Sequence, residues 1–299
     1  MAPAARERLA ALLRSWSAER GRPDVEVAAR SVRDGIVREE LRLIPSDREP
    51  IPATLLAPED AAARPAILYA HAHGHRHDIG RRELMEGRPA LHHPPYGPIL
   101  ARLGYVVLCL DMPCFGDRQD NTEGAAAKAR LWQGGTLMGD MLSDLATGLE
   151  LLAARAEVDA ARIGALGISM GATHAYWLAA LDPRVACVAH LCAFASLRHL
   201  VETGAHDLHA PYLTVPGLLA EMDVGEIAGL VAPRPQLVCA GLADPLTPAP
   251  AFASAWGDLA RAYGEASTLH RVVDPASAHV ETPRMRRAVL AFFNRYLKP

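Results

Sequence analysis

The spacing of apolar residues changes period along the chain. In residues 4–20, Leu9, Leu12, Leu13 and Trp16 fall on one face at helical spacing, which predicts an N-terminal helix over about residues 1–20. The next stretch, "IVREELRLIPSDREPIPATLLAPE", alternates apolar and polar residues in two runs around "PSDREP", the pattern of an antiparallel hairpin. After Pro65 the apolar residues gather into short continuous runs: "AILYAHA", "VVLCLDM", "ARIGALGIS", "RVACVAHLCAF", "RPQLVCAGLAD" and "STLHRVVD". Such runs suit strands buried on both faces. Between and after them lie helical patterns: "PILARLGY", a long region from about Ala125 to Arg155, "MGATHAYWLAAL", "PAFASAWGDLARAYG" and "PRMRRAVLAFFNRYL". Gly134, Gly135 and Gly139 weaken the first part of the long one.

Buried strands alternating with helices predict βα units, hence an α/β fold with a mostly parallel sheet covered on both faces and the hairpin at one edge. The chain shows no internal repeat or long linker, so one domain is expected over residues 1–299. The stretch from about 195 to 233 is longer than a plain helical connection. It is expected to cover the C-terminal edge of the sheet, where open α/β sheets bind ligands.

One motif carries chemistry. "GISMG", Gly167 to Gly171, is a G-x-S-x-G with a strand before it and a helix after it. This is the setting of a nucleophile elbow, a turn so sharp that side chains at the glycines would collide with their neighbours. The turn lifts Ser169 Oγ above the sheet edge and leaves the Met170 N–H at a helix start, suited to stabilising an oxyanion. A serine nucleophile needs a base, and the base needs a carboxylate to orient it. In this architecture the acid precedes the histidine. Asp244 follows the strand "LVCAGLAD", and His279 lies between the last strand and the last helix. Asp258, Glu265 and Asp274 are the rival acids. Asp111, at the end of "VVLCL", precedes the nucleophile and suits a loop-ordering role.

The run "HAHGHRHD", His71 to Asp78, raises a metal reading for the His71–His77 cluster. A metallo-β-lactamase-type zinc site reads H-x-H-x-D-H, and here the last two residues are reversed. The alternation is expected to come from the strand end, with Gly74 ending it, so that the side chains need not converge. Neither a metal nor another cofactor is expected. Within the covering stretch, "HDLHAPYLTVPGLL" offers His206, Asp207, His209 and Tyr212, of which His206, His209 and Tyr212 are candidates to line a substrate pocket. Trp132 and Met138 suit core and pocket equally.

Composition narrows the class without naming a substrate. Of 299 residues, 50% are apolar and 22% charged, with a formal net charge of −3 and scattered Lys and Arg. There is no basic footprint for nucleic acid. The N-terminus mixes Arg and Glu into its apolar positions, unlike a signal peptide, and no run reaches membrane-spanning length. A cytoplasmic protein is expected. The five cysteines include no CxxC pair and read as buried reduced thiols.

Over nearly its whole length after the N-terminal helix, the chain resembles the α/β-hydrolases. More narrowly it resembles the dienelactone-hydrolase-like and acetyl-xylan-esterase-like bacterial esterases. "HAHGH", "CFGDR" (Cys114 to Arg118) and "APRPQLVCAGLAD" carry the likeness. It departs at Ala72 and Ala278, where Gly is usual, at Ala172 after the elbow, and at Ser169, where dienelactone hydrolases proper use cysteine. The resemblance implies a serine esterase acting through an acyl-enzyme on a small-molecule ester, with the His73 backbone N–H as second oxyanion donor. The histidine side chains would be structural, one buried and tying the loop down. A peptidase or amidase on the same fold and a non-catalytic binding protein are the alternatives, and a homodimer is the expected assembly if the protein is not monomeric.

Overall fold

The computed structural model describes residues 2–16, 21–60 and 62–298. Its strands are β1 (Asp24–Arg33), β2 (Ile36–Ile44), β3 (Ile51–Pro58), β4 (Arg64–Ala70), β5 (Val106–Leu110), β6 (Val158–Ile168), β7 (Val185–Leu191), β8 (Gln236–Gly241) and β9 (Leu269–Asp274). They form one nine-stranded sheet in the order β1-β2-β3-β5-β4-β6-β7-β8-β9. The pairs β1–β2, β2–β3 and β3–β5 are antiparallel, and every pair from β5 to β9 is parallel.

The helices are α1 (Ala2–Leu13), α2 (Glu83–Glu86), α3 (Tyr96–Arg102), α4 (Glu123–Trp132), α5 (Leu137–Ala154), α6 (Met170–Leu181), α7 (Leu197–Thr203), α8 (Leu218–Glu221), α9 (Val224–Gly229), α10 (Ala249–Tyr263) and α11 (Pro283–Leu297). Strand side chains alternate between two cores. Ala66 and Leu68 of β4 join Leu142 of α5, Trp177 of α6 and Leu259 of α10 on one face. Ile67 and Tyr69 join Leu100 of α3 and Phe293 of α11 on the other. This double coverage is why β5, and β8 after Gln236, are apolar without interruption, with both strands wholly buried. Helix α6 lies inside the molecule with every residue buried.

The expected hairpin is present as β2 and β3, and a further strand extends it. The exposed strand β1 lacks a buried face to pattern its sequence. The tight turn at Asp34 and Gly35, both left-handed at φ 54° and 72°, joins it to β2. The N-terminal helix is shorter than expected. It ends at Leu13, Trp16 lies beyond it, and residues 17–20 fall outside the described residues. Leu9 and Leu13 are buried, with Leu12 and Trp16 packed at the margin of the same core.

The long helical region is two helices. Gly134, at φ 80°, breaks the chain, and Thr136 starts α5 by accepting from the Gly139 N–H at 3.0 Å. Met138 is buried core, whereas Trp132 is 88% exposed and belongs to neither core nor pocket. All five cysteines are buried free thiols. Among the described residues, no helix is long and apolar enough to cross a membrane.

Candidate active site

Ser169 stands between the end of β6 and the start of α6, with φ 57°. A β-carbon on Gly167 would overlap the Gly171 backbone, and one on Gly171 would overlap the carbonyls of Ala70 and His71. The turn therefore closes only with glycine at both positions. The Met170 N–H is in the first turn of α6, where no intrahelical carbonyl can accept from it.

The structure brings His279 and Asp244 to this serine. His279 Nε2 lies 2.9 Å from Ser169 Oγ, and Nδ1 lies 2.7 Å from Asp244 Oδ2. A carboxylate facing Nδ1 keeps the proton there, which leaves Nε2 free to accept from the serine hydroxyl. Asp244, buried past the end of β8, also accepts from the Leu246 N–H at 2.9 Å and from Thr247 Oγ1 at 3.0 Å. Burial works to raise the Asp244 pKa. The hydrogen bonds from His279, Leu246 and Thr247 outweigh it and hold the carboxyl below its ordinary range. Asp274 is occupied elsewhere, accepting from the N–H groups of Ala276 and Ser277 in its own turn.

The loop after β4 is built around a buried ion pair. Glu83 pairs with Arg88 and accepts from Tyr69 Oη at 2.6 Å and from the Ala72 N–H at 3.0 Å. The Arg88 guanidinium donates to the Ala72 carbonyl at 2.9 Å and to the His73 carbonyl at 3.0 Å. His71 Nδ1 also donates to the Ala72 carbonyl at 3.0 Å, while its Nε2 accepts from the Met112 N–H at 3.2 Å. His71 is thus the buried histidine that ties the loop down, and burial pushes its pKa down to about 4. Because a trans peptide points its C=O and N–H in opposite directions, clamping the Ala72 carbonyl also fixes where the His73 N–H points.

Two of the other histidines do converge, against the sequence expectation. Strand β4 stops at Ala70, so the alternation runs on in a loop that Gly74 and His75, both at φ 52°, fold back on itself. The ligand-type atoms of His73, His77 and Glu123 lie within 4.8 Å of one another. His73 Nε2 is 2.6 Å from Glu123 Oε2, and His77 Nε2 is 3.4 Å from the same oxygen. The His75 N–H donates to His73 Nδ1 at 3.0 Å, so the ring proton of neutral His73 sits on Nε2 and points at Glu123. A metal-bound histidine has the reverse polarity, with a lone pair toward the ion and an N–H on the far nitrogen. The cluster as it stands is a hydrogen-bonded group.

Comparison with known proteins places the family and the fold. Residues 96–217 match the profile of the Dienelactone hydrolase family. YtaP of Bacillus subtilis (strain 168), which bears the name of a hydrolase, is 35% identical over 276 residues, 91% of this chain and 92% of that protein. The chain belongs to the dienelactone hydrolase family. The acetyl xylan esterase of Paenibacillus sp. R4 superposes with a TM-score of 0.71 at 19% identity, covering 98% of this chain and 93% of that one. Methylesterase BT1017 superposes with a TM-score of 0.70 at 22% identity over 98% of this chain, which spans 63% of that protein. These likenesses bear on the fold, which is that of the α/β-hydrolases.

In this hydrolase the covering stretch reaches the serine unevenly. His209 and Tyr212 line a cavity of about 40 Å³ beside Ser169, Met170 and His279. His206 does not. It lines a neighbouring apolar pocket, because the 3-10 turn at Ala205–Leu208 carries it away. His209 Nε2 donates to the Leu246 carbonyl at 3.0 Å, tying the cover to the loop that holds Asp244. On the far side of His209 opens a cleft of about 760 Å³ lined by His73, His75, His77, Gln119, Asn121, Glu123 and Asp207.

Asp111 takes the expected loop-ordering role. It pairs with Arg81 and accepts from the N–H groups of Arg81 and Asp117 at 2.6 and 2.9 Å. Three carboxylates went unread in the sequence: Glu83, Glu123 and Glu281. Glu281 pairs with Arg286 at 2.6 Å, accepts from the His92 N–H at 2.9 Å and bonds Tyr96 Oη, which anchors the chain two residues after His279. Single acidic residues paired at long range leave no local pattern.

Proposed function

We propose that the protein is a serine carboxylesterase, a single α/β-hydrolase domain that cleaves a small carboxylic ester through an acyl-enzyme. The observation that carries this reading is the unbroken hydrogen-bonded series Ser169–His279–Asp244, at 2.9 and 2.7 Å. Ser169 Oγ attacks the ester carbonyl while His279 Nε2 takes its proton and Asp244 stabilises the imidazolium. The N–H groups of Met170 and His73 receive the oxyanion. His279 returns its proton to the alcohol as it leaves. It then takes a proton from water, which attacks the acyl-enzyme and releases the acid.

The cavity beside Ser169, about 40 Å³, suits an acyl group no larger than about one or two carbons beyond the carbonyl. The open polar cleft past His209 suits the alcohol portion. Acetyl esters fit this asymmetry, as the acetyl xylan esterase likeness also suggests. The buried free thiols suit a reducing, cytoplasmic setting.

A panel of p-nitrophenyl esters and a fluorophosphonate probe test the proposal. Acetate is expected to be hydrolysed fastest, with the rate falling steeply by butyrate, and the probe is expected to modify Ser169 and stop turnover. Labelling of another residue, or octanoate preferred over acetate, defeats the reading.

A further inference from the structure

Glu123 sits in the first turn of α4, buried, fifty residues in sequence from His73. Its two oxygens face two different parts of the site. Oε2 accepts from His73 Nε2–H at 2.6 Å, and Oε1 accepts from the Tyr212 backbone N–H at 2.9 Å. His73 belongs to the loop after β4. Tyr212 belongs to the cover, and it lines the small cavity beside Ser169. The His73 and Tyr212 rings also stack on each other, 6.3 Å apart at 28°. Burial of Glu123 is offset by these donors, so its carboxyl stays below the ordinary carboxylate range and remains the acceptor for both.

We propose that Glu123 is a positioning residue that locks the oxyanion loop to the wall of the acyl cavity, through His73 on one oxygen and Tyr212 on the other. The inference rests on the serine esterase reading, in which the His73 N–H receives the oxyanion. Arg88 fixes the peptide from its carbonyl side, at 2.9 Å, and Glu123 fixes the same residue from its side chain. Together they leave the N–H no rotation about the chain axis. The second bond holds the backbone of Tyr212, which lines the cavity beside Ser169. The carboxylate borders the cleft beyond His209 but is not part of the lining beside Ser169, and it acts on the reaction through His73 and Tyr212.

Glu123→Gln and Glu123→Ala test this, with p-nitrophenyl acetate as substrate and a fluorophosphonate to count competent serines. A trifluoromethyl ketone bearing a methyl group supplies a third measurement. Ser169 Oγ bonds to its carbonyl carbon, the hydroxyl proton passes to His279, and the resulting oxyanion reads the donors directly. Glutamine is isosteric and can accept from only one of the two donors, so it reports on a folded protein even where alanine does not fold. Misplacing one oxyanion donor lowers kcat per labelled serine by about ten-fold in Glu123→Gln and about a hundred-fold in Glu123→Ala, with KM within about three-fold of the parent. Ketone affinity is expected to fall in the same proportion. A purely structural role would lower the number of labelled serines and leave turnover per serine intact. That outcome, a loss confined to KM, or unchanged ketone affinity would overturn the proposal. A parent enzyme that takes no label on Ser169 would instead remove the esterase reading beneath it.

Discussion

Thr247 and His279 donate to the same oxygen of Asp244, at 3.0 and 2.7 Å. The carboxylate is therefore held in place before the histidine is added, with the Leu246 N–H on its other oxygen at 2.9 Å. Replacing it with an amide gives the imidazole a donor where it needs an acceptor. Asp244→Asn is expected to lower kcat by about ten-thousand-fold with little change in melting temperature. Asp274→Asn, which alters a turn bonded to Ala276 and Ser277, is expected to stay within about ten-fold of the parent. Steady-state kinetics on both variants decides between the two acids, and the opposite ranking would reassign the role.

Stability is expected to fall below neutral pH through three histidines buried in neutral form. Burial pushes the pKa of His71 down to about 4, and those of His174 and His190 down to about 3. In the unfolded chain a histidine titrates near 6.5, so below that value the unfolded state binds more protons. The contribution is complete above about pH 6.5 and is lost progressively as pH falls toward 4 and 3. Three groups acting together give a slope of up to about 4 kcal/mol per pH unit. Among the described residues, neither ring nitrogen of His174 has a hydrogen-bond partner. Denaturant titrations from pH 7 to 4 should show His174→Phe losing about one third of that slope. An unchanged slope would mean that His174 is protonated in the fold.

Arg88→Met is expected to cost more stability than most surface changes, because Glu83 would stay buried without its cation. Both side chains are nearly inaccessible, at 3% and 0%. Breaking such a pair from one side typically costs about 3–5 kcal/mol. The double variant Arg88→Met with Glu83→Gln should recover part of this in chemical denaturation. No recovery would mean that the carbonyl contacts to Ala72 and His73 carry the effect instead.

Extended dialysis against EDTA is expected to leave esterase turnover unchanged. The His73 proton points at Glu123 because Nδ1 is engaged by the His75 N–H at 3.0 Å, so binding a cation there would first require that contact to break. Metal content measured before and after dialysis, alongside the rate, checks this. One equivalent of zinc whose removal stops turnover and whose return restores it would transfer the chemistry to the cluster.

What the sequence discloses here follows from how local the cause is. Elbow glycines and strand ends are short-range features, legible as such, and Asp244 and His279 stand out because each follows a strand end, although His279 lies 110 positions from Ser169 and 35 from Asp244. The parallel strands are legible because burial on both faces makes them apolar. Strand β1 has neither face buried, so its residues carry no pattern, although the Asp34–Gly35 pair marked the turn beside it. The break between α4 and α5 was signalled by Gly134 but needed Thr136 as a cap to be placed. Glu123 is the instructive case. Its partners, His73 and Tyr212, lie 50 and 89 positions away, and only the folded chain brings a lone glutamate at a helix start to them.

In the proposed acyl-enzyme mechanism, the unequal spaces lined by His209 bear on the fate of the acyl group after the first alcohol has gone. The space beside Ser169 measures about 40 Å³, while the polar cleft beyond His209 measures about 760 Å³. In the proposed mechanism, an alcohol seated in the cleft would compete with water for an acylated Ser169. An added alcohol that fits would intercept the group, with His279 taking the alcohol's proton as it would water's. The ratio of new ester to free acid, measured across a series of acceptor alcohols, becomes a readout of the cleft's own preferences.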